Sequence, residues 1–447
     1  MRPNSPWRIR DFRTLFTASA LSQLGTNIGY VAMPLVAVAA LDARPGQVGA
    51  LATLSTVAFL VIGLPAGAWV DRLSHRRVLI TADLCRALLF ATVPLAWWLD
   101  VLTLGQLYAV VLLNGCATVF FDVGSQSVLP QLVGRDGLVQ ANADINTLIA
   151  AGNVAGRGAG GGLVALLTAP VAVLVTAGAH LASALRLTGI RQTPAAGAPA
   201  GTSPGRSSAG QSSAGQPTAG QKTTGQQAAA RKPAGLRTQI AEGVRHVFGN
   251  PELRALALTA ALGNLGSAIV NTMLPVWFVR ELDLSPGALG LFWAAGGVGL
   301  LVGARCARPV ASRLGYGRTL GLAGLCFAPA GLLVPLVDRG FWLLLAGTGW
   351  FLAMFKVGMD NVIGVSLRQR MTADVLLGRM NATFRFLLTG ALAVGAAVSG
   401  VLGELAGVQA TLWVGGVFMA TAFLPVFLSP VRSRRELPEQ QAHNTAA

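Results

Sequence analysis

Charged side chains are scarce in this sequence. They make up 12% of its 447 residues, against about a quarter in an average soluble domain, so water is not the main solvent of its surface. Cysteine and histidine are rarer, at four each. Cys85, Cys116, Cys306 and Cys326 all fall inside apolar stretches, without metal-ligand or redox spacing. That argues against a disulfide scaffold or a metal site and reads them as small packing residues. His75, His180, His246 and His443 lie far apart in the chain, which speaks against a lipid-modifying membrane enzyme, whose site needs converging histidines, carboxylates or a nucleophile. No Walker A sequence is present, nor a soluble domain large enough to carry one, so an ATP-driven pump is not expected. Neither enzymatic activity nor a cofactor is predicted.

What the chain does have is apolar length. Hydrophobic residues account for 53% of it, and about 20 mostly apolar residues suffice to cross a hydrocarbon core roughly 30 Å thick. Such stretches recur at 14–41, 48–70, 78–99, 105–128, 142–167 and 170–190, then at 254–279, 287–306, 318–337, 341–366, 380–404 and 409–429. The first follows Arg8, Arg10 and Arg13 and is too long for a signal peptide. The pattern predicts an all-α membrane protein of twelve transmembrane helices in two six-helix bundles, 14–191 and 246–430. A cytoplasmic tail (1–13) precedes them and another (431–447) follows. Between the bundles, 192–245 is rich in Gly, Ser, Gln and Ala, with Gly-Gln steps at 210, 215, 220 and 225. It is predicted to be a disordered linker, because such a composition buries too little apolar surface to offset chain entropy.

The formal net charge of +16 would suggest nucleic acid for a soluble protein, but its arginines and lysines gather in alternate breaks between spans. The N-terminal tail, the break with Arg72, Arg76 and Arg77, the linker and the C-terminal tail all fall on one side. The positive-inside rule makes that side cytoplasmic, so no nucleic-acid partner is needed. The halves also repeat each other at a displacement of about 240 residues: Leu24-Gly25 against Leu265-Gly266, Pro34 against Pro275, Asp42 against Asp283, Arg72-Leu73 against Arg313-Leu314. Two parallel repeats around a midplane site are a transporter architecture.

Several motifs carry a resemblance. The run from Gly63 to Arg77, with Gly67, Asp71, Arg72, Arg76 and Arg77, resembles motif A of the major facilitator superfamily, and Arg313 and Arg318 lie in its degenerate copy. The resemblance implies a cytoplasmic gate of small residues and a charge cluster; the alternative is an ordinary positive-inside loop. Asp122 and Asp360, at equivalent repeat positions, are candidate latches, Asp122 to Arg72 or Arg76 and Asp360 to Arg313 or Arg318. A local pair of Asp360 with Lys356 is an equally good reading. Gly152, Gly156, Gly160 and Gly161 resemble motif C of the drug and proton antiporter branch, and their spacing also suits plain helix packing. A proline normally follows the second glycine there; here the residue is Arg157. The family's fourth-helix arginine, motif B, has no counterpart in 113–118.

Arg157 falls near the midplane, where an arginine needs a cavity or a partner. A substrate-facing role, favouring an anionic or carbonyl-rich molecule, and a structural ion pair both fit. His180 is a further cavity candidate, as are the amides Gln23 and Asn27 of the first span and Asn264 and Asn271 of the seventh, unless they bond between helices. Over about 12–190 and 245–430 the chain is similar to the enterobactin-exporter-like branch of the superfamily. The likeness is carried by the run from Phe121 to Pro130, by Asp360 to Gln369 and by Asn381. It implies a monomeric exporter in the bacterial cell membrane, surrounded by lipid and moving a small amphipathic molecule by alternating access. It also implies proton coupling, for which Asp83, Asp122, Asp360 and His180 are the titratable candidates. A uniporter, an importer and a non-transporting receptor remain alternatives on the same fold.

Overall fold

The computed structural model describes residues 6–70, 72–190 and 236–434. It is helical throughout, without strands among the described residues. In the first half α1 (Arg10–Leu35), α2 (Pro45–Val70), α3 (His75–Trp98), α4 (Leu104–Leu167) and α5 (Ala169–Leu187) follow one another with short connections. A short α6 (Leu236–Gly249) leads into α7 (Pro251–Val276), α8 (Pro286–Leu314), α9 (Tyr316–Phe327), α10 (Phe341–Arg370), α11 (Asp374–Leu405), α12 (Val408–Thr421) and the one-turn α13 (Leu424–Phe427).

Local chemistry sets many of these boundaries. Asn250 caps α7 by accepting from the amides of Glu252 (2.9 Å) and Leu253 (3.2 Å), with Pro251 at the first helical position. Ser285 caps α8 in the same way ahead of Pro286. Pro34 and Pro275 lie near the ends of α1 and α7, and each is followed by a five-residue π-helical turn, Val36–Ala40 or Trp277–Glu281. Proline cannot donate to the helix ladder, and a wider turn accommodates the disruption. The chain then reverses at Asp42 and Asp283, both at φ 48°, a conformation that aspartate tolerates better than most residues. The repeat is thus written in the backbone, and Thr168 (φ 92°) and Gly407 (φ 88°) extend it.

Eleven helical segments among the described residues are long and apolar enough to cross a membrane. The span expected at 142–167 is not among them. It forms the second arm of α4, whose arms meet at Gly134 (φ 65°, ψ 178°), and it carries Asn142, Asp144, Asn146, Asn153 and Arg157 among its glycines. The linker expected over 192–245 also ends earlier. Residues 192–235 lie outside the described ones, whereas 236–245 belong to α6. That helix docks on α11: Gly243 abuts Arg379 and Thr383, Glu242 pairs with Arg379, and His246 meets Thr372 at 3.3 Å. Residues 431–434, the start of the expected tail, are packed too, with Arg434 bonded to Glu252 at 2.8 Å.

The halves meet unevenly. At the end holding the Asp42 and Asp283 turns, the turn end, one apolar core draws on both halves, from Val31, Leu51 and Val173 to Met273, Trp293 and Leu412. At the opposite, basic end each half keeps its own core, around Phe12, Leu79 and Phe121 in one and around Leu256, Ile363 and Phe384 in the other. Two glycine contacts make the turn-end seam: Gly49 of α2 on Gly400 of α11, and Gly161 of α4 on Gly290 of α8. Without Cβ atoms the backbones touch, which is how helices gain close contact in lipid. Two polar links reinforce it, Arg280 to Asp42 (2.5 Å) and the Gly46 amide to Glu404 (3.1 Å). Among the described residues no hydrogen bond joins the halves at the basic end. Leucines such as Leu88, Leu344 and Leu405 point outward, more than two-thirds exposed, as suits a surface facing lipid.

A Cβ added at Gly49 or Gly161 would collide with the opposing backbone, so Gly49→Val and Gly161→Val are expected to pry the turn end apart. With the native cysteines replaced, a single Ala294→Cys beside Gly158 should then react several-fold faster with a membrane-impermeant thiol reagent. Unchanged labelling would mean that the seam does not close that end.

Candidate functional site

The glycine run of α4 serves two neighbours at once. Gly152, Gly156 and Gly160 recur every four residues and face α1, where they meet Gln23, Asn27, Ile28 and Val31. Gly161 faces α8 in the other half. Arg157 lies between these two faces, ten residues before the end of α4 at Leu167, about 15 Å at 1.5 Å per residue. Its guanidinium carbon stands 4.4 Å from the centre of the Tyr30 ring. Tyr30 in turn packs edge-on against Trp293 of α8 at 5.5 Å. The arginine Nε is buried without an acceptor, and Arg157 forms no ion pair among the described residues.

His180 stands elsewhere. It is fully buried in α5, against Gly25 on another side of α1, stacked on Phe90 at 5.7 Å and 3.4 Å from Asp83. Around it lies a polar cluster that the sequence reading missed. Arg86 of α3, 1% exposed, binds Asp83 (3.1 Å), Ser22 (3.0 Å), Thr26 and Asn114 of α4 (3.3 Å), while Ser22 also donates to Asp83 (3.1 Å). Asn114 lies in the stretch where the family resemblance leads one to look for an arginine, so a guanidinium does reach that part of α4, from the neighbouring helix. The signal was available: Asp83 and Arg86 are opposite charges three residues apart inside an apolar span, which demands a pair.

In the second half Asn264 and Asp360 line a cavity of about 200 Å³ with Thr259, Lys356, Asn361 and Arg368. Lys356 and Asp360 pair at 2.6 Å, the local alternative weighed above. Asn264 and Asn271 each bond a carbonyl one turn back on their own helix, and Asn271 Oδ1 is buried without a partner. Asn27 likewise bonds the Gln23 carbonyl at 2.9 Å.

Of the gate candidates, Asp71 lies outside the described residues, and Gly67 is in the last turn of α2. Arg72, Arg77, Arg313 and Arg318 are exposed and form no ion pair among the described residues. Arg76 is committed elsewhere: it donates to the Thr188 and Leu187 carbonyls (2.5 and 3.5 Å), the negative end of α5. Asp122 is therefore unlatched in this conformation, joined to neither Arg72 nor Arg76, and Asp360 reaches neither Arg313 nor Arg318.

A duplicated helical bundle with glycine seams and polar groups sunk in its interior defines a multi-pass membrane transporter. The family model for the Major Facilitator Superfamily matches residues 15–355 and 256–446, and the chain belongs to that superfamily. It is 28% identical over 411 residues to the multidrug efflux pump Tap of Mycolicibacterium fortuitum, covering 88% of this chain and 89% of that protein. It is 26% identical over 437 residues to the enterobactin exporter EntS of Shigella dysenteriae, covering 96% and 94%. Among solved structures, the nucleoside transporter NupG superposes with a TM-score of 0.70 at 14% identity, covering 94% of this chain and 99% of that one. A bacterial homologue of the iron transporter ferroportin, in an inward-facing state, gives 0.69 at 16%, covering 95% and 99%. At these identities the structural matches establish the fold alone.

Removing one partner of a buried ion pair leaves an uncompensated charge and costs about 3–5 kcal/mol. Arg86→Leu should therefore lower the thermal unfolding temperature of the detergent-solubilised protein sharply, and Asp83→Asn added to it should restore part of the loss. Equal melting of wild type and Arg86→Leu would rule out a stabilising role for the cluster.

Proposed function

We propose that this transporter exports a small amphipathic molecule from the cytoplasm by alternating access, in exchange for protons. The observation that carries the reading is the unequal joining of the halves: one shared core at the turn end and separate cores at the basic end. That is the arrangement of a carrier sealed on one side and loaded from the other. The excess of arginine at the basic end supports a cytoplasmic placement, with both termini inside and twelve spans once the second arm of α4 is counted. Tap and EntS, both export proteins by name, support the outward direction and a place in the bacterial cell membrane. The chain works as a monomer, since each repeat finds its partner within it. Asp122, Asp360, Asp83 and His180 are the groups proposed to carry the proton. Gly67, Asp71, Arg72, Arg76, Arg77, Arg313 and Arg318 form the gate that closes the basic end once the turn-end seam parts.

Reconstituted liposomes with an imposed pH gradient test this with amphipathic fluorescent molecules of either charge. Gradient-driven movement by the wild type, lost in Asp122→Asn, is the expected result. If folded protein moves nothing in either gradient direction, export gives way to a receptor on the same fold.

A further inference from the structure

Arg157 presents an imbalance that the fold leaves uncorrected. An arginine at the centre of a membrane helix costs about 2.5–3.5 kcal/mol even on the mildest scale. What the protein offers in return is the Tyr30 ring at 4.4 Å, and a cation–π contact contributes about 0.5–2 kcal/mol. The helix around it is cut for close packing, with Gly156, Gly158, Gly160 and Gly161 as neighbours, and no side chain among the described residues accepts from it. The Nε is buried without an acceptor, and no carboxylate among the described residues pairs with the group. Asp83 is held by Arg86 and Ser22, and Asp360 by Lys356. Asp42 and Glu404 serve the turn-end links. Among the described residues no acid supplies the counter-charge, which leaves the position open to a guest.

Its surroundings say more about what brings that charge. Tyr30 is 42% exposed although it lies within a membrane-spanning helix, so the residue is open to contact by a guest. It stands in the first half and touches Trp293 of the second, so a guest at Tyr30 bears on the contact between the halves. We propose that Arg157 and Tyr30 form the recognition centre for an acidic aromatic substrate, whose carboxylate, sulfonate or phenolate binds the guanidinium while its ring packs on Tyr30. The proposal rests on the transport reading and narrows its substrate class. It also gives binding a route to the gate, because a guest that displaces Tyr30 loosens its edge contact with Trp293 at the seam.

The test uses the full chain in lipid nanodiscs and three probes of matched shape: 1-naphthoate, 1-naphthalenesulfonate and 1-naphthylmethylammonium. Equilibrium binding is measured without any gradient, so that it reports on the site and not on transport. The two anions are expected to bind wild type at least tenfold more tightly than the ammonium probe. Arg157→Gln should erase that preference and Arg157→Lys retain it, which separates lost charge from lost fold. Tyr30→Leu should weaken all three probes several-fold and leave the preference in place. Equal anion binding by wild type and Arg157→Gln, a wild-type preference for the cation, or no anion binding at millimolar concentration overturns the proposal. The same probes in liposomes keep the two ideas apart. Anions that bind through Arg157 yet never cross would sink transport and leave the site; a cation that crosses equally well in Arg157→Gln would do the reverse.

Discussion

In hydrocarbon there is no water to complete an unfinished contact, and the structure turns on how two bundles approach each other under that constraint. Apolar side chains give no preference, since a lipid tail is as good a neighbour as a leucine. Where the halves do close, they close on backbone: Gly49 on Gly400 and Gly161 on Gly290. Atoms brought that near gain dispersion contacts that lipid cannot match. Glycine is costly within a helix, at about 0.5–1 kcal/mol relative to alanine, and these positions put that cost to use at the joint between the halves.

The same constraint sorts the polar groups. In the first half Asp83, Arg86, Ser22, Thr26 and Asn114 bond one another inside a single bundle, a strut among α1, α3 and α4 in which Asp83 Oδ2 alone stays unpartnered. Lys356 and Asp360 do so on one helix of the second half. Arg157 differs in lying at the junction of α1, α4 and α8, where a rigid partner in either half would tie the halves together. Groups completed within a bundle hold its shape, whereas a group left incomplete between bundles is free to respond to what arrives.

Much of this was legible in the sequence because it is written in periods and repeats. Apolar length gave eleven of the spans, and the 240-residue displacement paired Pro34 with Pro275 and Asp42 with Asp283, where the backbone repeats too. Depth could be counted along a helix, which led to the expectation that Arg157 lies near the midplane. Direction around the helix axis could not, and so His180, at a similar depth, was grouped with Arg157 although it faces the Asp83 cluster. Arg86 carries no motif of its own: the family resemblance points to the fourth span, whereas geometry lets the third span supply the same chemical group. Arg76 shows the opposite limit: its loop was recognised, but its bond to the last carbonyls of α5 depends on which helix ends happen to be neighbours.

The join within α4 has a mechanical consequence. Its two arms are separated by one residue, Gly134, in a conformation essentially restricted to glycine. A tether lets its ends move independently; a one-residue elbow does not. The arm that carries Tyr30's partner Arg157 and leans on the opposite half is thus a crank, and a tilt of that arm has to reappear in the arm beside α2 and α3. Lengthening the elbow by a few flexible residues would leave both arms intact and take the lever away.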